Sequence, residues 1–130
     1  MLGGTEKITM DLVQLALNVS SLKQQVISNN IANSNTVGFK PLKVDFEKQL
    51  QSLSKTLSNR TDSDSVSSMI KTLQPEIVID QDFDQLGDKS VRLDQEMADM
   101  TENSVHYQAL IESVTKKMAL LRLAINGGQR

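Results

Sequence analysis

The residues of this chain that could do chemistry are few, and they form no recognisable catalytic arrangement. His106 is the only histidine, and there is no cysteine to act as a nucleophile, ligate a metal or form a disulfide. A catalytic histidine needs a nucleophile or a second acid–base group held beside it. Because no motif around His106 supplies one, we expect a surface histidine, a protein that is not an enzyme, and no small-molecule substrate.

Acidic residues at alternate positions form the one pattern that resembles a metal site. Asp80, Asp82 and Asp84 are spaced like the first three ligands of a calcium-binding EF-hand loop. That loop also needs glycine at its sixth position and glutamate at its twelfth, where this sequence has Gln85 and Val91. We therefore interpret the segment as a solvated acidic loop and predict neither a metal ion nor another cofactor.

The composition favours long helices over a compact globule. A chain of 130 residues suffices for one domain, and three Phe, one Tyr and no Trp leave little aromatic area for a globular core. The net charge is −2, and residues 76–102 hold nine acidic side chains against two basic ones, so the basic stripe of a nucleic-acid binder is missing. We expect no nucleic-acid partner, no cleaved secretory signal and no apolar stretch long enough to span a bilayer.

Apolar residues recur at alternating steps of four and three along the last third of the chain. This heptad pattern keeps one stripe of a helix against a partner helix, and it predicts a helix of roughly 50 Å. Asn126 and Gly127 should end that helix, because both residues readily take the left-handed backbone. The stripe, here named the C-terminal seam, consists of Leu93, Met97, Met100, Ser104, Tyr107, Ile111, Val114, Met118, Leu121 and Ile125.

A second heptad pattern begins near the N-terminus and predicts a helix from Thr5, as its N-cap, to about Asn30. Leu17 and Ile27 lie beside the stripe, which indicates more than one packing neighbour. We predict that the two long helices pack together as a coiled-coil core. The N-terminal seam consists of Ile8, Leu12, Leu15, Val19, Leu22 and Val26.

An Asn-rich stretch follows the first helix. Asparagine side chains bond the nearby backbone and tolerate positive φ, while Gly38 takes positive φ freely, so a structured turn is predicted. Two interpretations stay open: a simple helix terminator, or a fixed surface for docking other subunits. The residues assigned to this docking loop are Asn29, Asn30, Ile31, Ala32, Asn33, Asn35, Thr36, Gly38 and Phe39.

The middle of the chain carries weaker signals. Residues 41–50 favour a short amphipathic helix, and the serine-rich residues 52–68 favour a mobile loop. Residues 75–80 read as a strand, with residues 90–93 as its hairpin partner. The predicted fold is therefore mainly α in a single domain: a helix and turn over 1–33, a loop region with a short helix and a small β-hairpin over 34–92, and the long helix over 93–126.

Both ends of the chain resemble one family. The stretch NNIANSNTVGFK resembles the Asn-rich signature of bacterial flagellar axial proteins, and EMADMTENSVHYQALIESVTKKMALLRLAI is most similar to the proximal, B-type subunits of the flagellar basal-body rod. The resemblance implies a structural rod protein that stacks through its terminal helices with copies of itself and with other rod and basal-body subunits, in the axial drive shaft between motor and hook. It also implies export by the flagellar type III apparatus, without a cleaved signal peptide, to the periplasmic part of the basal body.

A rival hypothesis from another class is a cytoplasmic helical adaptor or flagellar export chaperone that holds partner helices in a groove. Both hypotheses require amphipathic helices. They differ in where the protein is found and in whether it stacks on itself.

Overall fold

The computed structural model describes residues 4–59, 62–82 and 89–127. Within these residues the chain forms four helices and two short strands. In chain order they are α1 (Gly4–Ala32), β1 (Leu42–Asp45), α2 (Glu47–Ser58), α3 (Ser63–Thr72), β2 (Glu76–Ile79) and α4 (Lys89–Gly127).

The two long helices, α1 and α4, lie against each other in opposite directions. Near one end Lys117 forms an ion pair with Glu6 at 2.7 Å, and near the other Asn30 donates to Glu96 at 3.0 Å. Both long helices are thus confirmed, and α4 ends at Gly127. The predicted N-cap is wrong: α1 begins at Gly4, so Thr5 lies inside the helix.

The serine-rich middle segment is helical, so the predicted loop over residues 52–68 is wrong. Asp62 is the N-cap of α3, and its carboxylate accepts from the backbone N–H of Ser65 at 3.2 Å. Hydrogen bonds from the side chain and from the backbone of Ser65 lower the pKa of Asp62. Leu53 and Val66 are buried between α2, α3 and α1. A few apolar residues at helical spacing are enough to stabilise these helices, because α1 supplies the surface that covers them.

The small core lies between α1, α2 and α3. Its four most buried apolar side chains touch one another, and part of the N-terminal seam surrounds them. The core consists of Leu15, Leu53, Val66 and Ile70, with Ile8, Leu12, Val19, Phe46 and Leu73 packed against it.

The strand over residues 76–79 is confirmed, but its predicted partner is wrong. It pairs antiparallel with β1, in the register Leu42 to Ile79 and Val44 to Ile77, while residues 90–93 belong to α4. The short helix predicted over residues 41–50 is also wrong in its first half, which is β1. Valine and leucine at alternate positions of β1 suit a strand, and the partner strand lies beyond α2 and α3.

Candidate assembly interface

One buried side chain, Asn30, joins three elements. Its amide Nδ2 donates to the carbonyl oxygen of Leu42 at 2.7 Å and to Oε1 of Glu96 at 3.0 Å, and its Oδ1 accepts from the backbone N–H of Leu42 at 2.9 Å. Asn30 is only 4% exposed. In a β-sheet, a neighbouring strand bonds a residue through its backbone N–H and C=O. The Asn30 side chain bonds the same two groups of Leu42. Asn30 therefore fixes β1 against α1 and links both to α4.

The carboxyl group of Glu96 lies in a partly desolvated place. Burial raises the pKa of Glu96; the hydrogen bond from Asn30 lowers it, and the nearby Asp99 and Asp80 raise it further. The net pKa is above the ordinary value for glutamate. Because the folded chain then binds a proton more readily than the unfolded chain, this group contributes most to stability at low pH, and the contribution is lost as pH rises through the folded pKa.

We expect Glu96→Gln to raise the free energy of unfolding at pH 7, because the amide keeps an acceptor oxygen for Asn30 without a desolvated charge. The gain should shrink as pH falls towards about 4.3, the ordinary glutamate pKa. Urea unfolding at both pH values measures this. Glu112→Gln, at an exposed position of the same helix, is the matched control and should change little. An equal loss of stability for Glu96→Gln at both pH values would contradict the prediction.

The turn after Asn30 is held by its own side chains. The Asn33 amide Nδ2 donates to the carbonyl oxygen and to Oδ1 of Asn29, at 2.9 and 3.0 Å. The Thr36 hydroxyl donates to Oδ1 of Asn33 at 3.3 Å, and the backbone N–H of Phe39 donates to the carbonyl of Thr36 at 3.2 Å. Helix α1 continues to Ala32, so the first four residues assigned to the loop are its last turn.

The residues of the docking loop differ in how far they are exposed to solvent. Asn35, Thr36 and Gly38 are exposed, and Val37 is 97% exposed. Phe39 and Ile31 are half-buried. An apolar side chain held fully in solvent at the tip of an ordered turn is available to another subunit. The docking role of this loop stays a prediction.

Gly38 has the positive φ that the sequence predicted, at 78°. A Cβ built at this position would meet no atom within 4 Å, so any substitution cost is backbone strain and not a clash.

We therefore expect Gly38→Val to lower the free energy of unfolding by about 1–3 kcal/mol. Gly38→Asn should cost less, because asparagine tolerates the left-handed conformation. Urea unfolding of both variants measures the difference, and swimming should suffer more than helix content does. Equal stability of the valine variant and the unchanged chain would refute the strain.

The contact between α1 and α4 is polar at its middle. Asn103 is buried; its Nδ2 donates to the carbonyl of Ser20 at 2.8 Å and to Oε1 of Gln24 at 2.9 Å, while the Ser20 hydroxyl donates to Oδ1 of Asn103 at 3.0 Å. Gln24 also donates to the Ser104 hydroxyl at 3.3 Å. The interruption of the C-terminal seam at Ser104 was the sequence signal for this cluster; Ser20, Gln24 and Asn103 themselves were missed.

The two seams are used differently. On α1, Leu12, Leu15 and Val19 pack against α2 and α3, Val26 is buried, and Leu22 is half-buried. On α4, Val114 and Leu121 are half-buried, whereas four predicted interface residues are exposed within the single chain: Tyr107, Ile111, Met118 and Ile125. A coiled coil in which both seams meet stays a prediction for the assembled protein.

Curated relatives identify the family. The flagellar basal body rod protein FlgB of Bacillus subtilis (strain 168) is 34% identical over 124 residues, covering 93% of this chain and 95% of the relative. The chain belongs to the FlgB family of flagellar basal body rod proteins. The family described as Flagella basal body rod protein also matches residues 13–40, a range that holds most of the N-terminal seam and the whole Asn-rich loop. No solved structure matches the chain.

Two further relatives extend the comparison. FlgB of Aeromonas hydrophila is 29% identical over 129 residues, covering 89% of this chain and 91% of the relative. FlgB of Borrelia hermsii is 47% identical over a shorter stretch of 45 residues, covering 35% of this chain and 33% of the relative. Membership of this family supports the interpretation of this chain as a structural component of the rod.

The sequence drew attention to His106 and to the aspartates after residue 79 as candidates for catalysis or metal binding. His106 is exposed on α4. Of the predicted acidic loop, Asp80 and Asp82 follow β2, and Asp84 lies outside the described residues. Across residues 4–59, 62–82 and 89–127, the structure holds no cluster of three His, Cys, Asp or Glu side chains suited to a metal ion. None of the helices in those ranges is sufficiently long and apolar to cross a membrane.

Proposed function

We propose that this protein is a structural subunit of the bacterial flagellar basal-body rod, and that its terminal helices assemble it into the axial drive shaft between motor and hook. Family membership over almost the whole chain carries this proposal. The apolar side chains that α4 exposes support it, because a monomeric protein rarely leaves such a row of large apolar residues in water.

In the proposed assembly, the exposed residues of the C-terminal seam are buried by neighbouring subunits. The partners are copies of this chain and other rod and basal-body subunits. Each subunit contacts the next through two different surfaces, so the same contact repeats along a helical array of subunits. Such an array transmits torque along its axis. The Asn-rich loop, with its side-chain-bonded turn and exposed Val37, supplies a second contact.

The proposal includes export by the flagellar type III apparatus, without a cleaved signal peptide, to the periplasmic part of the basal body. It includes no catalytic step and no cofactor. The rival assignment, a cytoplasmic adaptor or export chaperone, differs from it in location.

Cell fractionation tests the proposal. The chain should be recovered in purified hook–basal bodies, with the N-terminus of its primary translation product intact, and deleting its gene should abolish rods and swimming. Recovery in the cytoplasm only, with rods still complete in the deletion strain, would favour the adaptor and overturn the rod assignment.

A further inference from the structure

A groove runs along one side of the contact between α1 and α4. Its upper part, a cavity of about 440 Å³, is lined by residues of β1 and by four acidic side chains, Asp80, Glu96, Asp99 and Glu102. Two lysines also face it, and one of them, Lys43, lies 3.9 Å from Asp80. The upper part of the groove therefore carries a net negative charge.

The lower part of the same groove is more apolar. A cavity of about 220 Å³ is lined by Leu12, Phe46 and Leu50, among others, and shares His106 and Asn103 with the upper part. Leu50 is half exposed, so the wall from α2 is incompletely covered. An acidic upper end that continues into an apolar lower end fits an amphipathic helix with basic and apolar residues.

The C-terminal end of α4 exposes both apolar and basic side chains. Leu120, Leu123 and Ile125 are each at least 60% exposed. Lys116 and Arg122 are exposed as well, and neither has an ion-pair partner among the described residues. Because α1 begins at Gly4 and Glu6 pairs with Lys117, the described part of α1 does not extend along this end of α4.

The charges on the two surfaces have the same spacing. Lys116 and Arg122 are six residues apart, as are Glu96 and Glu102, which corresponds to about 9 Å along each helix. In a helical array all subunits point the same way, so the two helices would run parallel. Aligning the basic pair with the acidic pair displaces one copy from the next by 20 residues of α4, about 30 Å along the helix.

We infer that the groove between α1, β1 and α4 receives the C-terminal end of α4 from a second copy of this chain. This inference rests on the proposed function and names the surfaces through which copies stack. Arg122 of the incoming helix faces Glu102, and the neighbouring Leu123 covers the wall formed by α1 and α2. The contact joins two different surfaces, so it leaves the same groove and the same helix end free on the outer copies and continues the array.

Charge reversal tests the pairing. In cells with no other copy of the gene, Glu102→Lys and Arg122→Glu should each reduce the number of complete rods about tenfold, because facing like charges weaken a contact by at least that factor. The double variant should restore rods towards the original number. Both positions are exposed, so helix content and unfolding should not change. Asp94→Lys, at an exposed position of α4 outside the groove, is the matched control and should build normal rods.

Failure to restore rods in the double variant, or single variants that behave like the control, would overturn the inference. Neither result touches the proposed function, which depends on recovery of the unchanged chain in basal bodies.

Cross-linking tests the geometry. The chain has no cysteine, so His106→Cys and Leu123→Cys can each be introduced as a single reactive site. Basal bodies built from a mixture of the two variants should yield a dimer of this chain with a short bismaleimide linker, and basal bodies built from either variant alone should not. A cross-link to a different rod subunit, or no cross-link in basal bodies that contain both variants, would overturn docking between copies.

Discussion

Replacing Asn30 with alanine should lower the free energy of unfolding by about 2–4 kcal/mol, because three hydrogen bonds are lost and three partner groups are left behind. This one amide bonds the backbone N–H and C=O of Leu42 and the carboxylate of Glu96. Denaturant unfolding of the purified chain measures the loss. Unfolding should also become less cooperative, since β1 and α4 would no longer be tied to the same point of α1.

Two further variants test whether the effect belongs to this amide. Asn35→Ala, at an exposed position of the same loop, should change stability by less than about 0.5 kcal/mol. Asn30→Asp keeps the size but places a second carboxyl group beside Glu96, so it should be the most damaging variant at neutral pH and should recover partly in acid. Equal stability of Asn30→Ala and Asn35→Ala would refute the role assigned to Asn30.

Replacing Ile111 with aspartate should abolish flagellar assembly while leaving the isolated chain almost unchanged. Ile111 is 41% exposed in the single chain, so we expect the free energy of unfolding to change by less than about 1 kcal/mol. In the proposed rod the same side chain is buried against a neighbour, where an unpaired charge costs several kcal/mol. Unfolding of the purified protein measures the effect on stability. Electron microscopy of basal bodies from cells carrying the variant measures the effect on assembly.

Glu112→Gln is the matched control, because it lies next to Ile111 in sequence and is exposed. It should leave both stability and assembly unchanged. If Ile111→Asp builds working flagella and Glu112→Gln does not, the assembly face of α4 has been assigned to the wrong side of the helix. A large loss of stability in the isolated Ile111→Asp chain would show instead that the residue packs within its own subunit.

The features that repeat locally could be predicted from the sequence. Helices α1 and α4 follow from apolar residues at heptad spacing, and β2 follows from three consecutive β-branched residues, Ile77 to Ile79. The positive φ of Gly38 follows from its place after an Asn-rich turn. In each case the signal lies within a few residues of the structure it determines.

The features that depend on distant contacts were missed. Helix α3 has only a few apolar residues among serines, and it is stable because Val66 and Ile70 pack on Leu15 of α1. The partner of β2 was assigned to the following segment, since hairpins are usually local, but β1 lies on the other side of α2 and α3. Composition alone cannot identify either partner.

In the candidate interface, too, local features could be predicted and distant contacts were missed. The Asn-rich loop was identified as a unit, yet the buried role of Asn30 depends on Glu96, which lies in the other long helix. The C-terminal seam was identified, but the sequence could not indicate that α1 would use its own apolar side chains mainly on α2 and α3. That division leaves Tyr107, Ile111 and Met118 exposed in the single chain.

The ion pair between Glu6 and Lys117 has a consequence for the order of folding. It joins the first described turns of α1 to the last part of α4, so it forms only after nearly the whole chain has been brought into one loop. Closing such a loop costs chain entropy before any contact repays it. Helices α1, α2 and α3 can assemble first through contacts of shorter range, so we expect α4 to dock late. A subunit caught before that event would present α4 as a free, partly formed helix, and that intermediate would be the species most prone to premature association.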